Sequence, residues 1–258
     1  MHDVSCNRAS IPALGFRTWE LRGDTARELV EAALEIGYRH VDTAQMYGNE
    51  AEVGAAIAAS GVPRGDLERS VEESVARLGL EPDLVLLHWP SPDVPLAETV
   101  AALNRAAERG LTRHVGVSNF TVAMVEEAVR LSPRPIVTDQ VEYHPFLGQA
   151  PVLACCRSHG MALTAYCPLA RGRVLGEPVL ARIGQAHGKG PGQVALRWLV
   201  QQEGVVALPR SSSVRHARTN FGIFDFELSG AEMAEVAALA EPCGRLVDGR
   251  FAPAWDAA

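Results

Sequence analysis

Apolar runs of strand length, alternating with helix-patterned segments along 258 residues, predict an eight-stranded β/α barrel, that is, a (β/α)8 TIM barrel. Three observations carry this. The runs are nearly continuous in apolar residues, as in strands covered on both faces. They recur at intervals that leave room for a helix. Polar side chains collect where the runs end, and in such a barrel the strand ends and the loops after them form the working face.

Taken in order, residues 14–19 are a short first strand, and Thr25 with Glu28 has the spacing of a capping box that opens a helix. Residues 38–44 are the second strand. Asn49 with Glu52 opens a helix that runs to residue 60, and a second helical pattern covers 67–80. Strands follow at 83–89, 114–119, 135–141, 162–167 and 204–209, and Ser229 with Glu232 opens a late helix. No linker divides the chain, so residues 1–258 are expected to form one domain.

One unit is short. Asp42 and His88 lie 46 positions apart, enough for two units, yet only GVPRGDL at 61–67 separates the two helical patterns. Seven residues with two glycines and a proline cannot supply a strand of about five residues with its two connections. The third strand is therefore expected to be missing or shortened between residues 61 and 67, the barrel closing with one strand fewer unless the region has been lost.

A net charge of −7 without a basic tract argues against nucleic acid or an anionic membrane as partner, and no apolar run approaches the roughly 18 residues needed to span a bilayer. Five cysteines lack CxxC spacing, and the N-terminal residues carry no apolar secretion signal, so a cytoplasmic protein acting on a small molecule is expected. Cys155 and Cys156 fit a helix core better than a redox pair.

The polar residues at the strand ends are Asp42, His88, Ser118, Asn119, Gln140, Tyr166 and Arg210, with Tyr47 on the loop after the second strand. Singly, each reads as an ordinary strand end or core aromatic. Together, a tyrosine beside a buried acid and a histidine suggest proton donation to a carbonyl oxygen. A metal-dependent hydrolase using His40, Asp42, His88 and His144 is the rival, weakened because no His-x-His pair occurs.

The segments IPALGF (11–16), GYRHVDTA (37–44), YGNE (47–50), LLHWP (86–90), GVSNF (116–120), QVEYHP (140–145), AYCPLARG (165–172) and RLVDGRFAPAWD (245–256) resemble the aldo-keto reductase family across the whole length, in particular its bacterial 2,5-diketo-D-gluconate reductase branch. The resemblance implies hydride transfer from a nicotinamide to an aldehyde or ketone, such as a keto-sugar acid. It implies Tyr47 as proton donor, His88 as the residue that orients the carbonyl and Asp42 as the supporting acid. Thr18, Ser118, Asn119, Gln140 and Tyr166 then hold the nicotinamide side of the cofactor, and Arg210, Ser211, His216 and Asn220 its adenosine phosphate. NADPH is expected, with NADH as the alternative. Trp19 and Trp89, with His88, line the substrate pocket, residues 246–256 cover the barrel mouth, no metal is required, and a monomer is expected.

The chain departs from the family in three places. The family pairs the acid with a lysine on the third strand, whereas the sole lysine here is the distant Lys189, and no residue is expected to replace the missing cation. An impaired enzyme, or a dinucleotide binder without turnover, is the alternative function. Arg17 stands where glycine is usual and is expected to narrow the cofactor entrance. His216 replaces an arginine that meets the 2′-phosphate, with Arg215 and Arg218 expected to point elsewhere.

Overall fold

The structure, a computed structural model, describes residues 1–59, 76–79, 82–249 and 252–256. It opens on a hairpin that sequence reading did not anticipate, β1 (Asp3–Cys6) antiparallel to β2 (Ala9–Pro12). Both turn residues, Asn7 and Arg8, have positive φ, and an arginine in place of the usual glycine hides the turn in the sequence. The Asn7 amide donates to the carbonyls of Ile136 and His159, at 2.7 and 2.9 Å, which seats the hairpin at the end of the barrel where strands begin.

The barrel strands follow. β3 (Phe16–Arg17) pairs in parallel with β4 (Val41–Asp42). β5 (Leu84–Leu87), β6 (His114–Ser118), β7 (Ile136–Glu142), β8 (Ala162–Tyr166) and β9 (Val205–Leu208) form a five-stranded parallel sheet in that order. Parallel bridges Leu14 to Ala207 and Arg17 to Arg210 join β3 to β9. Strands therefore run β4-β3-β9-β8-β7-β6-β5 around the axis, inside the expected segments except that β7 extends one residue further, to Glu142. Gly15 is required where β3 meets β9, since a Cβ there would lie 2.4 Å from Leu208 Cδ2.

Among the described residues no pairing links β4 to β5. These two strands are half-buried along their length, whereas β7, β8 and β9 are buried throughout. The stretch 61–67, where the third strand is expected to be missing or shortened, and most of the helix expected at 67–80 lie outside the described residues.

Among the described residues the helices include α1 (Gly23–Ile36), α2 (Glu50–Ala59), α3 (Leu96–Glu108), α4 (Val122–Leu131), α5 (Ala150–Ser158), α6 (Pro178–His187), α7 (Pro191–Val200), α8 (Val214–Phe221) and α9 (Gly230–Ala237). Proline in the first turn of α5, α6 and α7 costs no hydrogen bond, because the amide it lacks would have no helical partner. α1 starts ahead of Thr25, since Gly23, at φ 52°, turns the chain into the helix earlier. α9 begins where expected: Ser229 accepts from the Glu232 amide while Glu232 accepts from that of Ser229.

Candidate active site

The register of the strands assembles the site. β3 and β4 place Arg17 opposite Asp42, β6 and β7 place Ser118 opposite Gln140, and β7 and β8 place Glu142 opposite Tyr166. All sit at or within two residues of the ends of their strands, on one face of the barrel. Tyr47 closes a short 3-10 turn after β4, residues Gln45–Tyr47, stopped by Gly48 in the left-handed conformation.

Tyr47 is buried and its phenol oxygen accepts two hydrogen bonds from Arg17, 2.7 Å from Nη2 and 3.3 Å from Nε. The same Nε lies 3.5 Å from Asp42 Oδ2, and the two side chains are only 12% and 11% exposed. From the sequence no residue is expected to stand in for the missing lysine, yet a cation touches the phenol. A first-strand position that the family gives to glycine carries an arginine long enough to reach the phenol across one strand spacing. Burial works against the Arg17 charge, but Asp42 and Tyr47 outweigh it and hold the guanidinium protonated. Burial pushes the Tyr47 phenol up to about 12, and Asp42 adds to the rise, while the charge and hydrogen bonds of Arg17 oppose it.

Asp42 is held from both sides of the barrel: Gln140 Nε2 donates to its Oδ1 at 3.1 Å, whereas buried Oδ2 accepts no hydrogen bond and has only the ion-pair contact with Arg17. His88, just past β5, places its ring edge-on to Tyr47 with centroids 6.3 Å apart. Burial lowers the His88 pKa, Asp42 opposes and Arg17 adds, so the imidazole is neutral at pH 7. Trp19 stands edge-on to Tyr47 at 4.9 Å and is partly exposed, as a pocket wall requires. Trp89 stands 6.3 Å from Trp255.

The expected cofactor residues fall into two groups. Asn119 has φ 63°, a left-handed conformation that asparagine tolerates, and this turns its amide inward. It donates to the His88 carbonyl at 2.9 Å and accepts from Tyr166 Oη at 2.7 Å, while Ser118 donates to the Gln140 carbonyl. Thr18 is buried and donates to the Asp42 carbonyl. Arg17 also crosses the Tyr166 ring, 5.0 Å from its centroid.

The second group surrounds the N-terminus of α8, where Ser213 accepts from the His216 amide. Asn220 donates to Ser211 at 3.0 Å, and Arg210 is exposed beside the Trp19 carbonyl. Arg215 does not point elsewhere as expected, because its Nη2 lies 3.0 Å from His216 Nε2. Neighbours on a helix diverge at Cβ, but a long guanidinium side chain folds back across the gap.

Two features were not legible in advance. Asn49 ties the first two loops together, donating to the carbonyls of Thr18 and Leu21 at 2.9 Å and accepting from Thr43. Glu142 clasps the C-terminal segment, accepting from the amides of Leu246 and Val247 at 2.8 and 2.9 Å and lying 3.1 Å from His144 Nε2. Asp256 accepts from the Val122 amide, and Arg245 stacks on Trp255 at 3.7 Å. His40, Asp42, His88 and His144 form no metal-ligand group among the described residues; the only one found there is Glu126, Cys155 and His159, on α4 and at the end of α5.

The model of the aldo/keto reductase family matches residues 13–67 and 58–241, two pieces that overlap at 58–67, where the third strand is expected to be missing or shortened. The methylglyoxal reductase DkgB of Escherichia coli O157:H7 is 39% identical, over 96% of this chain and 100% of its own. That alignment runs over 269 positions, more than the 258 residues here, so the relative has residues that this chain lacks. An aldo-keto reductase of Mycolicibacterium vanbaalenii is 39% identical over 90% of this chain and 89% of its own. A crystal structure provisionally described as a 2,5-diketo-D-gluconic acid reductase B superposes with a TM-score of 0.95 at 48% identity, covering 100% of this chain and 98% of that one.

Proposed function

We propose, because the chain belongs to the aldo/keto reductase family, that it reduces a small polar carbonyl compound with NADPH, using Tyr47 as the proton donor. Membership makes it an oxidoreductase for carbonyl substrates with a nicotinamide cofactor. The single observation that carries the finer reading is a buried phenol with a cation and an acid in contact, beside a neutral imidazole.

The bound dihydronicotinamide would supply hydride to the carbonyl carbon. Tyr47 gives its phenol proton to the carbonyl oxygen as negative charge develops there. His88, neutral at pH 7, donates a hydrogen bond that orients the same oxygen. Asp42 balances the charge of Arg17 in a site where burial would otherwise disfavour it.

The residues present fit a dinucleotide. The Asn119, Ser118 and Gln140 groups suit the nicotinamide end, beside the Tyr166 ring, one face of which Arg17 covers. Free amides at the start of α8, with exposed Arg210, Arg215 and His216, suit an adenosine phosphate. Three basic groups around that terminus favour NADPH over NADH. The substrate class follows the relatives, whose names concern methylglyoxal and a diketo-gluconic acid. Trp19 and Trp89 would line the substrate's pocket.

The test is NADPH oxidation with a panel of small carbonyls that includes methylglyoxal and 2,5-diketo-D-gluconate. Tyr47→Phe is expected to lower kcat by about 10²–10⁴-fold with NADPH binding unchanged. Turnover in that variant equal to the parent's would sink the assignment.

A further inference from the structure

We propose that Arg17 is the catalytic cation of this site, a guanidinium in permanent contact with the proton-donating oxygen, so that the chain works without a lysine there. The inference rests on the reading of Tyr47 as proton donor. A phenol that gives up its proton leaves a phenolate, and a buried phenolate forms readily only where a cation already touches it.

Several observations point the same way. Arg17 reaches the phenol oxygen through two N–H groups, at 2.7 and 3.3 Å. Those bonds occupy the lone pairs of the oxygen, so the phenol's own O–H is left to point toward a guest in the barrel mouth. The guanidinium is fixed by Asp42 on one side and by the Tyr166 ring beneath it. Its backbone is held as well, with the Arg17 amide donating to the Pro209 carbonyl at 3.1 Å. Among the described residues no other cationic side chain touches the phenol oxygen. Arg22 lies 3.4 Å from the Tyr47 backbone carbonyl, and Lys189 is paired with Asp225 at 2.6 Å.

The chemistry differs from that of an ammonium in one respect. A guanidinium stays protonated throughout the pH range in which proteins fold, so it stabilises the phenolate but cannot pass a proton to it. The Tyr47 O–H bond breaks, an O–H bond forms on the product alcohol, and the phenolate then takes a proton from water. Arg17 remains unchanged through the cycle.

Arg17→Met, Arg17→Lys and Tyr47→Phe separate the alternatives. The first readout uses cofactor-free protein labelled at tyrosine Cζ, whose Tyr47 resonance is identified by its loss in Tyr47→Phe. Arg17→Met is expected to displace that resonance and to move the onset of its ionisation to higher pH, with Arg17→Lys in between. The second is NADPH oxidation: Arg17→Met should lower kcat by about 10²-fold or more, while Arg17→Lys recovers at least about a tenth of the parent rate. NADPH affinity, read by fluorescence, should stay within about threefold in both. An unmoved Tyr47 resonance in Arg17→Met overturns the proposal. So does faster turnover with tighter NADPH binding, which would make Arg17 an obstruction over Tyr166. If Arg17→Met is unfolded, Arg17→Lys decides by the same two readouts, and an unmoved resonance there counts against the idea. Parental activity in Tyr47→Phe would instead remove the underlying reading, and this inference with it.

Discussion

A phenol held near pKa 12 resists ionisation by about 7 kcal/mol at pH 7, since each unit is worth about 1.4 kcal/mol. That value already includes the opposing charge and hydrogen bonds of Arg17; a cation about 4 Å away at an effective dielectric near 20 is worth roughly 4 kcal/mol, so without it ionisation would cost more still. On the proposed reading, a single arginine sets how readily this tyrosine serves as an acid. Arg215 is the corresponding single residue at the other end of the proposed cofactor site. Its contact with His216 gathers two basic groups at the start of α8, where a phosphate gains both charge and free amides. Arg215→Ala is expected to weaken NADPH binding by about tenfold, as for one lost charge-assisted hydrogen bond, and to leave NADH unaffected. Fluorescence titration with the two cofactors checks this; an equal loss for both would show that the residue supports the fold rather than the phosphate.

At the scale of elements, β7 does more than line the barrel, because its last residue holds the chain's C-terminal segment. Burial by itself would raise the pKa of Glu142. The hydrogen bond with His144 and those from the Val247 and Leu246 amides outweigh burial and leave it below the ordinary 4.5. A carboxyl depressed on folding contributes stability that is fully present above its unfolded value and is lost as pH falls through the folded one. The clasp should therefore hold above about pH 4.5 and loosen progressively below it. The fluorescence difference between the protein and its Trp255→Phe variant reports the segment directly, as Trp255 stacks on Arg245 within it. Glu142→Gln is expected to abolish the acid transition. A transition of the same midpoint in that variant would place its origin in another group.

Across the whole molecule, the described strands leave one side of the barrel without a hydrogen-bonded seam, between β4 and β5. Strands with neighbours on both edges, such as β7 and β8, open only with the global fold, whereas a half-buried strand at a seam can open alone. Hydrogen exchange followed by mass spectrometry should find β5 exchanging faster than β7 and β8 by at least about tenfold, a local opening cheaper by about 1.4 kcal/mol or more. Equal protection in all three would mean that the seam is as tight as the rest of the barrel.

Much of this was legible in the residues alone. Continuous apolar runs at regular intervals announce strands buried on both faces, and chemistry confined to their ends announces the working face of a barrel; both are local patterns that any neighbouring stretch of chain reveals. Asp42, Tyr47 and His88 stand out for that reason, and the expected shortage of one strand is only a count of residues, in a stretch outside the described residues. What a linear string withholds is which long side chain bridges which gap. Arg17 meets Tyr47 thirty positions away, and Glu142 meets Leu246 more than a hundred away. Strand register and the reach of a flexible side chain determine such meetings, and both come into being only when the sheet curls and brings its distant edges together.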